Sequence, residues 1–232
     1  MDKLKVSEIF KVGDQYDIVT KYKEIPVKVQ LRLKWVDNEG RLLGFDWGKT
    51  HIRAAFSTLD PVYIRLSSKE YAQTQVFSNL GKELVLTLEN FVEPPEFIKR
   101  HSVRVEPDDN RPVIVELTFD GHKFELPVKD ISERGIGLSL KIDENKEFVK
   151  FLQDSIEELK EDESVEFPLK IHLPENGTAV GKGRLKNVVG LGKDIYVRLG
   201  FEVDFPKEEL TKIRRYVINR QKEIIQALRF IE

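Results

Sequence analysis

Between Pro26 and Trp35 the chain alternates apolar and polar residues without a break. A period of two puts every apolar side chain on one face of an extended strand, whereas on a helix it would scatter them around the cylinder. Such a strand must bury one face against other strands, and the neighbouring sequence supplies them. Asp37-Asn38-Glu39-Gly40 reads as a turn, and Leu42 to Trp47 returns as a partner. Further strand-like runs follow at Ile52 to Phe56, Val62 to Leu66, Gln75 to Phe77 and Leu84 to Leu88. Short strands joined by turns predict an antiparallel barrel or sandwich. Trp35, Phe45 and Trp47 occupy strand positions and are read as core in preference to a surface aromatic patch. Ahead of these strands, the residues up to Tyr22 carry a short amphipathic piece, Val6 to Phe10, and a turn at Gly13-Asp14.

The ladder breaks at Pro94-Pro95, where residues without N–H groups cannot pair and the chain stiffens. The expected division is a β-rich N-terminal domain over 1–93, a proline-containing linker over 94–98 and a second domain over 99–232. In the second domain, Pro112 to Phe119 and His122 to Val128 form a hairpin across Asp120-Gly121, a favoured turn pair. Ile136 to Ile142, Val165 to Leu173, Gly181 to Val189 and Ile195 to Val203 read as further strands. Between them, Phe148, Phe151, Leu152, Ile156 and Leu159 recur at helical spacing within Asp143 to Glu163. A long helix closes the chain, with Pro206 in its first turn and Glu208 and Glu209 at the positive end of its dipole. Its stripe runs through Leu210, Ile213, Val217, Ile224, Leu228 and Ile231, and its distal half leaves monomer and homodimer both open.

Two charged motifs flank the hairpin. Arg100 and Arg104 are four residues apart, so their side chains leave the chain on nearly the same side in either an extended or a helical segment. Each guanidinium can hold a phosphate, or the O6/N7 edge of guanine, with two parallel hydrogen bonds. At the other end stand Asp130, Ser132 and Gly135. An ionised Asp only accepts hydrogen bonds, which suits the N–H donors of a guanine Watson–Crick edge, and Ser donates or accepts. Gly lets a backbone turn tightly or approach a ligand closely.

This pair, R-x-x-x-R followed by D-x-S-x-x-G around a strand pair, resembles the signature of the PilZ domain, the bacterial receptor module for cyclic di-GMP. Tyr196-Val197-Arg198-Leu199-Gly200-Phe201-Glu202-Val203 resembles the closing barrel strand of that family. The β-rich module ahead of it resembles the two-domain, flagellar-brake (YcgR-like) arrangement. The resemblance implies a mainly β protein of two barrel-like domains. The C-terminal one would be a six-stranded antiparallel barrel with an inserted helix and a long C-terminal helix. It further implies a cyclic di-GMP receptor in which Arg100 and Arg104 clamp phosphates and guanine edges while Asp130, Ser132 and Gly135 hold a guanine on the barrel face. Lys99 would assist, standing where many members have another Arg, and it bears on whether one or two ligand molecules bind. Asn187 stands about where some members stack an aromatic on the base. The implied output is altered domain orientation or engagement of a protein partner in flagellar motor, pilus or polysaccharide machinery, hence in motility or biofilm formation.

Composition narrows the alternatives. With 232 residues, 40% of them hydrophobic, the chain can build two small cores. A formal net charge of −2 gives no global field to draw in nucleic acid. A barrel that binds single strands through Arg100, Arg104 and Arg134 is therefore the second reading, and a PilZ-type interaction scaffold without ligand the third. The absence of cysteine excludes disulfides, thiolate metal sites and a Cys nucleophile. His51, His101, His122 and His172 lack metal-ligand spacing, so neither a metal nor another cofactor is expected. Gly177 to Gly183 imitates a phosphate loop but lacks Ser or Thr after Lys182, and it reads as a hairpin. No nucleophile elbow surrounds Ser132, so a Ser132, Asp130 and His101 catalytic set is set aside and no enzymatic activity is expected. Neither a bilayer-spanning apolar run nor a hydrophobic signal core is present, and a cytoplasmic location without membrane insertion is expected.

Overall fold

The computed structural model describes residues 5–100, 102–119, 121–161, 166–191 and 194–230, and the side chains of 119 and 155–161 are outside that description. Asp120 of the expected hairpin, His101, and the side chains of Ile156, Leu159 and Ile231 therefore lie outside the described residues.

A helical turn, α1 (Val6–Ile9), leads into β1 (Gln15–Tyr22), β2 (Ile25–Asp37) and β3 (Leu42–Asp46). These are followed by β4 (Val62–Arg65), β5 (Tyr71–Leu80) and β6 (Glu83–Val92). The strands close into a barrel in the order β1-β2-β3-β6-β5-β4, which leaves no free edge. The alternation of β2 does what its period dictates: Ile25, Val27, Val29, Leu31 and Leu33 point into the core and the residues between them face out. Two expectations are corrected here. Ile52 to Phe56 is not a strand but holds a 3-10 turn over Arg53–Ala55, because the Asn79 amide takes the Arg53 and Phe56 carbonyls, at 3.1 and 2.9 Å, that a ladder would use. Phe45 and Trp47 are buried as expected, but Trp35 is only half-buried and lies over Gly44 on the outer face.

After β6 the two prolines end the ladder and α2 (Glu96–Lys99) forms a single turn, with the Phe97 ring 5.7 Å from that of Tyr63. The second half of the chain then builds β7 (Ile114–Phe119), β8 (His122–Ile131), β9 (Gly135–Lys141), β10 (Phe167–Leu173), β11 (Gly177–Val189) and β12 (Tyr196–Asp204). This is the six-stranded antiparallel barrel that the resemblance implies, ordered β7-β8-β9-β12-β11-β10 and closed by the pairing of β10 with β7. Its inserted helix, α3 (Lys146–Glu161), packs Phe148 and Phe151 against Phe124 of β8, with centroids 4.9 and 5.6 Å apart. Burying a ring such as Phe148 contributes about 1.5–3 kcal/mol. The terminal helix, α4 (Lys207–Phe230), buries Ile213, Tyr216 and Val217.

The two barrels have the same strand order, and they share local irregularities as well. In each, the second strand bulges against the third, at Leu33/Trp35 and Val128/Asp130. In each, the fifth bulges against the sixth, at Val76/Ser78 and Leu185/Asn187. The chain divides into two compact units, one comprising Met1–His101 with Glu223–Glu232, the other Ser102–Lys222. Leu228 of α4 accordingly belongs to the core of the first unit, with Phe10, Leu33 and Phe56.

Candidate ligand-binding site

The D-x-S-x-x-G segment forms the tight connection between β8 and β9. Ser132 N–H donates to the Gly135 carbonyl at 2.8 Å, its hydroxyl donates to the same oxygen at 3.2 Å, and the hydroxyl accepts from Arg134 N–H at 3.4 Å. Ser132 is only 2% exposed, so its hydroxyl acts as the lock of this turn. Val105 and Ile131 exchange two backbone hydrogen bonds of 3.0 Å each, and this bridge fixes Arg104 beside Asp130. Arg104 Nη1 lies 3.2 Å from Asp130 Oδ1. A Cβ built on Gly135 would stand 3.2 Å from the Phe201 carbonyl and 3.8 Å from Arg104 Nη2, so this glycine keeps the approach to the arginine low.

The two bulges align four residues across neighbouring strands: Asp130 pairs with Gly137, Gly137 with Gly200, and Gly200 with Asn187. Residues in lateral register share one face of a sheet. Here it is the outer face, because Leu138 and Leu199 at the next positions are buried. The result is a floor of two glycines with a carboxylate at one end and a carboxamide at the other. Asp130 leans over the first glycine, where a Cβ would stand 2.2 Å from its Oδ2. Above Gly200 there is open room, since a Cβ would meet only the Asn187 Cβ, at 3.5 Å. Strand glycines mark places where a ligand or another backbone comes close.

Charged side chains border this floor. Ser139 and Arg198 are paired on the same face one step along β9 and β12. Gly135, Glu202 and Arg184 form the corresponding row on the other side. Arg184 and Lys182 both hold Glu166, at 2.6 and 2.8 Å, and these hydrogen bonds keep the Glu166 carboxyl below the usual carboxylate range. Arg134, Glu166, Lys182, Arg184, Glu202 and Asp204 line a cavity of about 350 Å³ beside them.

The structure thus brings together Arg104, Asp130, Ser132 and Gly135 in the second unit. Lys99 and Arg100 fall in the first unit, each on a carboxylate of its own. Lys99 Nζ lies 3.2 Å from Glu93. Arg100 Nη1 lies 2.7 Å from Glu24 Oε2, and Lys21 holds the other Glu24 oxygen at 2.5 Å. Burial pushes the Glu24 carboxyl up, but hydrogen bonds from Lys21 and Arg100 outweigh it and hold the group below its ordinary value. Sequence reasoning missed Gly137, Gly200 and Glu24. The glycines were legible as interruptions of strand patterns, whereas nothing in the sequence links Glu24 to a partner 76 residues away.

No family model matches the chain. An uncharacterized protein of Aquifex aeolicus (strain VF5) is 42% identical over 229 residues, covering 98% of this chain and 96% of its own. The chain belongs to the family of that protein. Among solved structures, the Klebsiella ("K. pneumonia") MrkH–c-di-GMP complex is 14% identical with a TM-score of 0.48, covering 91% of this chain and 90% of that one. Escherichia coli YcgR in complex with c-di-GMP is 12% identical with a TM-score of 0.44, covering 98% and 92%. The Bacillus subtilis inhibitor of motility MotI/DgrA is 13% identical with a TM-score of 0.42, covering 92% and 99%. The chain carries two barrels, with R-x-x-x-R and D-x-S-x-x-G around the start of the second. Among the described residues no group of three or more His, Cys, Asp or Glu could hold a metal ion, and no helix is long and apolar enough to cross a membrane.

Proposed function

We propose that the chain is a receptor and effector for cyclic di-GMP. The observation that supports this best is the row Asp130, Gly137, Gly200, Asn187, with Arg104 fixed against Asp130. A planar guanine lies flat over Gly200, the open position of the row, beside the Asp130 carboxylate that covers Gly137. The Asp130 carboxylate accepts from the donors on its Watson–Crick edge, and Arg104 offers its fork to a phosphate or to the O6/N7 edge. Ser132 and Gly135 serve by shaping the turn. Lys99 and Arg100 contribute cations from the segment just ahead, once these leave Glu93 and Glu24.

A ligand held by Arg100 and Arg104 together restrains the chain between them. This is how we infer that binding becomes altered domain orientation or the engagement of a protein partner, in the control of motility, pili or biofilm. Small-angle scattering with and without saturating ligand tests the conversion, and identical profiles would remove the domain-orientation part of it.

Isothermal titration with cyclic di-GMP, with GTP as control, tests the receptor reading. Saturable binding selective for the dinucleotide is expected. Arg104→Ala should weaken it by at least about tenfold, because each charge-assisted hydrogen bond contributes about 1.5–3 kcal/mol. Unchanged binding by this variant would mean that the ligand sits elsewhere. Absence of heat and of a thermal shift with the parent chain would favour a scaffold that binds no dinucleotide.

A further inference from the structure

The first barrel carries a cavity that the proposed receptor site does not use. At one end of the barrel, the connection from β3 to β4 and the end of β5 with its turn to β6 border a half-open cavity of about 610 Å³. The polar lining comes from Lys49, Thr50, His51, Arg53, Asn79 and Gly81. That volume falls within the range of small-molecule sites. Every ionisable group among these six residues is basic.

The lining is built rather than incidental. Arg53 Nη1 donates to the Gly81 carbonyl at 2.5 Å, and its guanidinium lies 5.9 Å from the centroid of the Trp47 ring. Trp47 is itself fixed, its Nε1 donating to Asn79 Oδ1 at 2.9 Å. The Asn79 amide donates in turn to the Arg53 and Phe56 carbonyls. Arg53 is therefore immobilised by a closed set of contacts, yet no carboxylate meets it or Lys49 among the described residues. Its Nε is buried and has no hydrogen-bond partner. The carboxylates nearest in sequence, Asp46 and Glu83, are both engaged with Lys34, at 3.7 and 3.6 Å. A fixed guanidinium without a counter-charge is costly in a partly buried place, and an acceptor-only ligand relieves that cost.

Phosphate fits this lining better than a single carboxylate. It brings several acceptor oxygens, which can take the Arg53 N–H donors left free by Gly81, the exposed Lys49 ammonium and the Thr50 hydroxyl together. We propose that this cavity binds a phosphate-bearing small molecule through Lys49, Thr50 and Arg53, independently of the Asp130–Asn187 floor on the second barrel.

The test uses the full chain and inorganic pyrophosphate at constant ionic strength, followed by the indole N–H resonances of its two tryptophans. Trp47 underlies Arg53, whereas Trp35 lies over Gly44 and is not part of the cavity. A saturable shift of the Trp47 indole with Trp35 unmoved is expected. Lys49→Gln, an exposed substitution that leaves folding intact, should weaken the titration about tenfold, the effect of one charge-assisted bond. Lys11→Gln, which removes an equal charge outside the cavity, should leave it unchanged. No Trp47 shift at about 10 mM pyrophosphate, a concentration well above the millimolar constants of weak specific binding, would overturn the proposal. So would equal weakening by the Lys49 and Lys11 variants, which would mark a diffuse field. Arg104→Ala should titrate like the parent, so failure of the receptor reading and failure of this one are read separately.

Discussion

Glu24→Gln should tighten the binding of cyclic di-GMP while making the protein less stable. Glu24 sits in the two-residue turn between β1 and β2, where Lys23 and Glu24 both have positive φ, 47° and 68°. Such a backbone costs a non-glycine residue on the order of 1 kcal/mol, yet the turn places a carboxylate against Arg100. The side chains of Glu24 and Arg100 are 11% and 22% exposed, so the 2.7 Å contact is poorly screened. Charge-assisted hydrogen bonds of this kind contribute about 1.5–3 kcal/mol, and Gln retains part of that as a neutral acceptor. A stability loss of about 1–2 kcal/mol is expected. In the proposed mechanism Arg100 must surrender this contact to reach the ligand, whereas Lys21 need not, so the Arg100 share of the loss returns as tighter binding, up to roughly five- to thirtyfold if that share is about 1–2 kcal/mol. Gln keeps the length and the strained φ of Glu, so the comparison isolates the charge. Urea denaturation gives the first quantity and isothermal titration the second. A variant that is destabilised but binds no more tightly would show that Arg100 is not released for the ligand, and the competition argument would fail.

Three further outcomes are expected. Acid should close the stability gap between the parent and Glu24→Gln: the folded-state pKa of Glu24 lies below its ordinary 4.5, so its contribution is full above that value and is lost as pH falls through the folded one, which denaturation at stepped pH will resolve. Gly200→Ala should leave stability within about 1 kcal/mol, since its Cβ meets only Asn187 at 3.5 Å, yet lower ligand affinity by putting a methyl on the floor; unchanged affinity would mean that no base lies there. Arg220→Met should cost about 2–4 kcal/mol in urea denaturation, because Arg220 is buried and holds the Glu106 carbonyl at 2.9 Å and Asp108 at 3.2 Å, just beyond Arg104. That variant should also weaken the ligand, and a stable variant would show that the segment needs no anchor.

The parts of the fold legible in the sequence are those where one residue type meets one environment. The alternation of Pro26 to Trp35 became β2 because its inner face meets a single core, and Pro94-Pro95 marked the end of β6 because neither residue can donate to a ladder. β1 was not legible: Ile18, Val19 and Thr20 are buried in succession, which abolishes the period of two. Ile52 to Phe56 looked like a strand because Ala55 and Phe56 do enter the core, but as part of a turn held by Asn79, a residue far along the chain. For the candidate site, Arg104, Asp130, Ser132 and Gly135 stood out by spacing and are found together. The floor they border did not, because it depends on two bulges whose register no local pattern announces.

The two barrels show what separates a fold from a site. Strand order is the same, the bulges fall at corresponding places, and the bulged residues on the second strands are both lysines, Lys34 and Lys129. The row that reads Asp130, Gly137, Gly200, Asn187 in the second barrel reads Trp35, Gly44, Val85, Ser78 in the first. In both, a glycine on the third strand accepts a side chain leaning from the second: a Cβ on Gly44 would stand 2.1 Å from Trp35, and one on Gly137 would stand 2.2 Å from Asp130. The glycine is thus required by the bulge and carries no functional meaning alone. What differs is the side chain that leans and the residue beyond it. An indole covers the floor of the first barrel and Val85 fills the next position, so the geometry is spent on packing. A carboxylate covers little, and Gly200 leaves the next position bare, so the same geometry becomes a polar shelf open to a flat ligand. In the proposed reading, the site follows from two differences on a shared frame, and any barrel of this order in which the leaning residue is short and polar and the sixth strand supplies glycine can present such a shelf.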